Sequence, residues 1–343
     1  MFIAEWVQLG IDLAASDLHF AAGERPRAKI NGSWEWLSDR ECPPDQLYAF
    51  VQATANLPGP ESLAEHKEYD FSFSVGAVRV RAHFYQQRGT AALALRLLPE
   101  RIPVPEELGL PPVLTELIHK KRGLLLVTGP TGSGKSTTIA SLVQYLNQEE
   151  SLHIVTLEDP IEFEHHSLRS LVVQREIGVD VHTFSSGMVS SLRQNPDLIV
   201  IGEMRERMAM EAALHAAEAG SMVFASLHAA DAIGAVHRLV NSFSPERHSL
   251  IRAQLSACLL AILAQRLIPG RGWRDHVVAC ELLINNRAVA HLLRSGQEHQ
   301  LDSVMQSGQA CGMQTMEMAL THLVQKGLTE AEWVLNVGQI PHV

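Results

Sequence analysis

Cysteine is scarce: four residues in 343, at positions 42, 258, 280 and 311. They are too few and too scattered for a disulfide framework or a C-x-x-C metal or redox pair, and a reducing compartment fits them. Cys258 and Cys311 sit among apolar and small residues and read as buried thiols. Long apolar runs are missing as well. No stretch approaches the roughly 18 uninterrupted apolar residues that a membrane-spanning helix needs. Basic side chains are in deficit, 28 against 38 acidic ones, for a formal charge of -10. Holding nucleic acid calls for a basic patch that displaces counterions from phosphates, so the balance argues against that partner. The first ten residues have no basic stretch ahead of an apolar run and carry Glu5, which predicts folded protein rather than a secretory leader. Neither an internal repeat nor a low-complexity tract is present. What remains is a cytoplasmic globular chain, with 46% hydrophobic and 19% charged residues.

The length suggests two domains. Residues 1–98 read as a small α/β domain. Helical spacing runs from Phe2 to Ala15, and a strand begins at Asp17. Asn31-Gly32 between Arg27–Ile30 and Ser33–Trp36 is a hairpin signal, because both turn positions need a positive φ. A helix is expected over Asp45–Thr54, then strands over Tyr69–Phe73, Ala77–Phe84 and Ala91–Leu97. In the second of these, alternation sets Arg79 and Arg81 on one face and Val78 and Val80 on the other. Prolines at 99, 103, 105, 111 and 112 then interrupt the chain. They resist helix and sheet alike, so 99–112 is the expected linker and hinge. Residues 113–343 form the second expected domain.

That domain opens on chemistry. Leu124–Val127 is a buried-strand run, and Gly129-Pro130-Thr131-Gly132-Ser133-Gly134-Lys135-Ser136 follows it, with Thr137–Leu146 as a helix behind. This matches the G-x-x-x-x-G-K-[ST] phosphate loop in its strand–loop–helix context. Glycines allow close backbone approach, and their amides join the helix N-terminus in facing phosphate. Lys135 is expected to reach the outer phosphates of ATP, and the Ser136 hydroxyl to ligate Mg2+. Two further apolar strands end in carboxylates: His153–Leu157 runs into Glu158-Asp159, and Asp197–Ile201 into Gly202-Glu203. Carboxylates past the C-terminal ends of parallel strands converge on the ligand crevice, there to hold magnesium, polarise a water or cap a helix. Position alone does not say which one is the base. Met222–Leu227 ends at His228, either a sensor of the terminal phosphate or a structural hydrogen-bonder. His215 reads as a packing residue, and His165 and His166 as part of a solvated loop.

These elements in this order resemble the secretion and type IV pilus motor ATPases, most closely the pilus-retraction branch, over nearly the whole chain. The markers are Ala15–His19, Gly129–Thr138, Thr156–Glu162, Gly202–Arg205 and Gly220–His228. The resemblance implies a RecA-like P-loop ATPase domain preceded by a smaller PAS-like α/β domain, assembled as a homo-hexamer. It further implies Glu203 as the residue that activates water, and Glu158 as an aid to magnesium and water. Arg81 and Arg96, with Arg88 a weaker candidate, would reach the phosphates as the domains close. The partners implied are an inner-membrane pilus platform protein and a paralogous motor ATPase. Departures stand out. Gln194-Asn195 replaces Glu-Asp, Arg205-Glu206 replaces Arg-Asp, and the histidine box opens Gly220-Ser221. The retraction motif appears as Ala288–Ser295, without its first arginine and final glutamate. A secretion or extension ATPase, or a weakly hydrolysing accessory subunit, are the alternatives.

Overall fold

The computed structural model describes residues 2–55, 67–98, 101–271 and 276–335. Pro99, the first residue of the expected linker, lies outside them. The chain divides into two compact units. One holds residues 1–101 together with Pro160–Glu164, and the other holds 102–159 and 165–343. The chain therefore passes between units at Arg101/Ile102, Asp159/Pro160 and Glu164/His165.

In the first unit, helix α1 (Phe2–Asp12) is followed by strands β1 (Asp17–Ala21), β2 (Arg27–Ile30) and β3 (Ser33–Trp36). Helix α2 (Pro44–Thr54) leads to β4 (Glu68–Val75), β5 (Val78–Gln87) and β6 (Thr90–Leu97). The six strands make an antiparallel sheet in the order β3-β2-β1-β6-β5-β4. Asn31 (φ 50°) and Gly32 (φ 80°) close the first hairpin, as their residue types require. Ile3, Trp6 and Val7, one face of α1, are buried with Leu18, Phe20, Leu47, Phe84 and Leu93. Each such side chain contributes about 1.5–3 kcal/mol by leaving water.

The second unit begins with α3 (Pro112–Ile118), β7 (Gly123–Thr128) and α4 (Lys135–Glu149). It continues with β8 (His153–Glu158), β9 (Leu171–Glu176), α5 (Phe184–Leu192), β10 (Leu198–Ile201), α6 (Arg207–Ala219) and β11 (Met222–Leu227). Helices α7 (Ala232–Asn241) and α8 (His248–Cys258) precede β12 (Leu259–Pro269) and β13 (His276–Ile284). The described residues end in α9 (Arg287–Ser295), α10 (Leu301–Ser307), α11 (Met316–Gln325) and α12 (Glu332–Leu335). The sheet order is β13-β12-β7-β11-β10-β8-β9, all neighbours parallel except β12 with β13. Every residue of β7, β10 and β11 is buried, as expected of strands covered on both faces. That burial explains why they read as unbroken apolar runs. Among the described residues no helix is long and apolar enough to cross a membrane.

The cysteines separate by position. Cys42, Cys258 and Cys280 are buried, and burial pushes the last two thiols up to about 12, so they stay protonated and inert. Cys311 is exposed, contrary to the expectation from its small and apolar neighbours; it closes a short turn before Gly312.

Candidate functional site

The parallel topology sends the C-terminal ends of β7, β8, β10 and β11 to one edge of the sheet, and the loop Gly129–Ser136 starts there. Three glycines in it hold positive φ: Gly129 (154°), Gly132 (78°) and Gly134 (84°). At Gly129 a Cβ would also strike the Gln265 carbonyl and lie 2.5 Å from Ser133 Oγ, so only glycine fits. Gly134 caps α4, whose first turn carries Lys135, Ser136 and Thr137. The helix N-terminus and its unbonded amides therefore open onto the loop that Pro130, Thr131 and Ser133 complete. Lys135 is 8% exposed, and its Nζ donates to the carbonyls of Gly129 (3.0 Å) and Pro130 (2.8 Å). The ammonium is thus held inside the loop.

Beside the loop, two hydrogen-bonded straps fix the ends of β10 and β11. The Ser226 hydroxyl donates to the Gly202 carbonyl, and the Met204 amide donates to the Ser226 carbonyl at 2.9 Å. Farther along β11, the Thr128 hydroxyl donates to the Ala229 carbonyl and accepts from the Ala229 amide, both at 2.9 Å. These bonds anchor the residues on either side of Glu203 and just beyond His228. The Glu203 carboxylate meets His228 Nε2 at 3.0 Å and Arg205 Nε at 2.7 Å. Burial works to raise its pKa. The Arg205 hydrogen bond and the charges of His228 and Arg205 outweigh burial, so Glu203 sits below the usual carboxylate range. His228 is lowered, first by burial and then by the Lys135 charge, with Glu203 opposing. At neutral pH the imidazole is therefore neutral and donates its Nε2 proton to Glu203.

Glu158, at the end of β8, is oriented by its neighbours. The Thr156 hydroxyl and Gln174 Nε2 both donate to its Oε1, at 2.6 and 3.0 Å. Gly202 makes room for it: a Cβ there would stand 3.3 Å from the Glu158 Cα. Gln174 lies on β9, a strand the sequence pattern did not reveal, and the signal that could have found it was the Leu171–Val173 run. His165 belongs to the same network. Its amide donates to Gln174 Oε1 at 2.7 Å and its Nδ1 lies 3.1 Å from Gln144 Oε1 on α4. Half-buried, it is lowered to about 4 by desolvation. The expected solvated loop thus describes His166 but not His165. His215 is exposed on α6 rather than packed.

Arg81 and Arg96 face each other directly across β5 and β6, both in the first unit. Arg96 Nε bonds Asp17 at 3.0 Å, and Arg81 is 3.4 Å from Glu162, in the segment that follows Glu158-Asp159. Arg79, on the same face as Arg81, donates to the Ile161 carbonyl at 3.2 Å and pairs with Glu164 at 2.9 Å. Arg88 is not with them. It sits at the hairpin tip after β5, in a left-handed turn (φ 49°) beside Gly89, roughly 20 Å of strand from Arg81. Its φ gives it a turn role.

Comparison with known proteins agrees with this architecture. The family profile described as type II/IV secretion system protein matches residues 76–333. The type IV pilus retraction ATPase PilT of Pseudomonas aeruginosa is 38% identical over 342 residues, covering 99% of each chain. A twitching motility protein of Neisseria gonorrhoeae is 38% identical over 310 residues, 90% of this chain and 82% of its own. A solved structure of the pilus retraction motor PilT with bound ADP superposes with a TM-score of 0.90 at 42% identity, covering 99% of this chain and 97% of that one. The fold is accordingly α/β, a RecA-like P-loop ATPase unit preceded by a smaller PAS-like unit. This chain belongs to the type IV pilus retraction ATPase family, within the type II/IV secretion system proteins.

Proposed function

We propose that the chain is the ATP-hydrolysing subunit of a homo-hexameric motor that drives or assists type IV pilus retraction. The observation that carries the chemistry is the Glu203–His228 pair, set beside a complete phosphate loop. Backbone amides of Gly132–Lys135 and the Lys135 ammonium receive the phosphates. Thr137 follows Ser136 in the first turn of α4 and would face the same ligand. Glu203, ionised because its pKa is low, takes a proton from the attacking water, while the neutral His228 fixes the carboxylate and registers the terminal phosphate. Ser136 and Glu158 suit Mg2+, which keeps most of its waters and asks for only one or two protein oxygens beside those of the nucleotide. When bound, that ion would neutralise charge on the phosphate oxygens.

Arg81 and Arg96 would complete the site as the units close, their present carboxylate partners giving way to phosphate. Closure bends the chain at residues 99–112. It also draws on the segment after Glu158-Asp159, which belongs to the first unit. Successive subunits working out of phase would pass force to an inner-membrane platform protein, with a paralogous motor ATPase as a second partner. The protein would be cytoplasmic and attached to the membrane only through partners. Likeness to retraction ATPases along the whole chain supports this role over secretion or extension. The test is ATP turnover and solution mass of the purified protein, with twitching restored in a retraction-deficient strain. A monomer without turnover overturns the motor reading. A hexamer with turnover that restores no motility overturns the retraction assignment.

A further inference from the structure

Strand β12 reads Leu-Leu-Ala-Ile-Leu-Ala-Gln-Arg-Leu-Ile-Pro, and its one uncharged polar side chain, Gln265, is fully buried. An amide in such a position costs about 1–3 kcal/mol unless its hydrogen bonds are met. Half of this one is unmet: Gln265 Oε1 is buried with no partner, as is Ser133 Oγ in the loop alongside. The half that is met reaches 132 residues back along the chain, where Gln265 Nε2 donates to the Ser133 carbonyl at 2.5 Å. Register explains the reach. Ala264 pairs with Thr128 on β7, so the next residue of β12 stands beside Gly129 and the loop that follows. As a stabilising device this glutamine is poor. An apolar residue of its size would remove the orphaned Oε1 and take the donor from the Ser133 carbonyl, exchanging one unmet acceptor for another.

We infer that Gln265 is a positioning residue for the phosphate loop. The Ser133–Gly134 peptide is planar and trans, so its carbonyl and its N–H point in opposite directions. Holding the Ser133 carbonyl against β12 turns the Gly134 N–H away from β12, toward the inner side of the loop. The same contact closes off the only other arrangement. A loop carbonyl rotated inward would present negative charge to the phosphates. Gly134 is fitted to this neighbour: a Cβ there would lie 3.3 Å from Gln265 Nε2, and its φ of 84° excludes most side chains already. The inference rests on the reading of Gly129–Ser136 as the phosphate site.

Its test compares nucleotide binding with stability. Gln265→Met keeps length and apolar volume but cannot donate. With a fluorescent N-methylanthraniloyl-ADP as probe, the variant is expected to bind about tenfold more weakly, as loss of one oriented hydrogen-bond donor implies. KM for ATP should rise in step while kcat stays within about threefold, and the nucleotide-free Tm should stay near wild type. Gln265→Glu supplies the second reading. Ionised, it faces the Ser133 carbonyl without a proton to give; protonated, its hydroxyl donates in place of the amide. Its affinity relative to wild type should therefore recover as pH falls from 8 to 6. If Met weakens binding less than twofold, or the Glu ratio is flat with pH, Gln265 is merely packed there. Should Gln265→Met not fold, Gln265→Leu answers the same question. Lys135→Ala is the control: undiminished binding in that variant overturns the phosphate-loop reading, whereas binding lost there and kept in Gln265→Met overturns only this inference.

Discussion

Glu203, just past β10, and His165, between β8 and β9, have surroundings that treat charge in opposite ways. Arg205 and His228 both meet the Glu203 Oε1 and favour the ionised carboxylate, which suits its proposed role as base. Glu203→Gln keeps the shape and both contacts but cannot take a proton. Turnover is expected to fall by about 10²–10⁴-fold while binding of labelled ADP changes little; steady-state phosphate release against a binding titration checks both. Turnover within tenfold of wild type would assign the base elsewhere. His165 is kept neutral. In the folded chain its pKa is about 4, against 6.5 for a free histidine. Above pH 6.5 neither state binds the proton and nothing is lost. Between 6.5 and about 4 only the unfolded chain is protonated, so stability declines as pH falls, by about 3 kcal/mol over the window. His165→Gln should flatten that slope, read as the urea midpoint at pH 7.5 and at pH 5. An unchanged slope would place the titrating group elsewhere.

At the scale of elements, the site depends on how neighbouring strand ends are tied together. The Thr128 hydroxyl makes two bonds to Ala229 and so joins the end of β7, which launches the phosphate loop, to the end of β11, which presents His228. Thr128→Val keeps the volume and leaves the half-buried Ala229 N–H and carbonyl without these partners. A loss of about 2 kcal/mol is expected, with Tm lowered by about 4–8 °C and turnover reduced more than nucleotide affinity. Thr128→Ser should restore all three. A valine variant with wild-type Tm and turnover would mean that backbone pairing alone sets the geometry. The retraction-like motif tells a different story at this scale. Helix α9 keeps Val289, Leu292 and Leu293 buried, so the packing face of Ala288–Ser295 survives where Ala290 and Ser295 replace the charged residues of the family pattern. The fold keeps the helix whatever its outer face meets.

For the molecule as a whole, the proposed motion turns on the arginines of the first unit. Arg81 and Arg96 face each other across two strands, a costly placement for like charges unless each is compensated. Glu162 and Asp17 compensate them. In the proposed closure, a triphosphate would replace these carboxylates as the partner of both arginines. If closing units act in concert around a ring, one inactive subunit should slow its neighbours. Mixing wild type with Glu203→Gln after subunit exchange is expected to depress turnover more steeply than the fraction of wild type. A strictly linear dependence would mean independent subunits.

Much of this is legible in the sequence. The phosphate loop, the carboxylates after two apolar strands and the Asn31-Gly32 hairpin are local patterns, in which backbone conformation and residue type are linked within a few positions. So are β7, β10 and β11, whose unbroken apolar runs follow from burial on both faces. Tertiary structure alone decided the rest, because it turns on partners far apart in the chain. Gln174 orients Glu158 from a strand that is half-exposed along its length and so carries little signal. His165 is half-buried and bonded to Gln144 and Gln174, and Gln265 meets Ser133 across 132 residues. Sequence fixed the kind of chemistry through residues that must be adjacent; the fold chose which distant side chains would aim it.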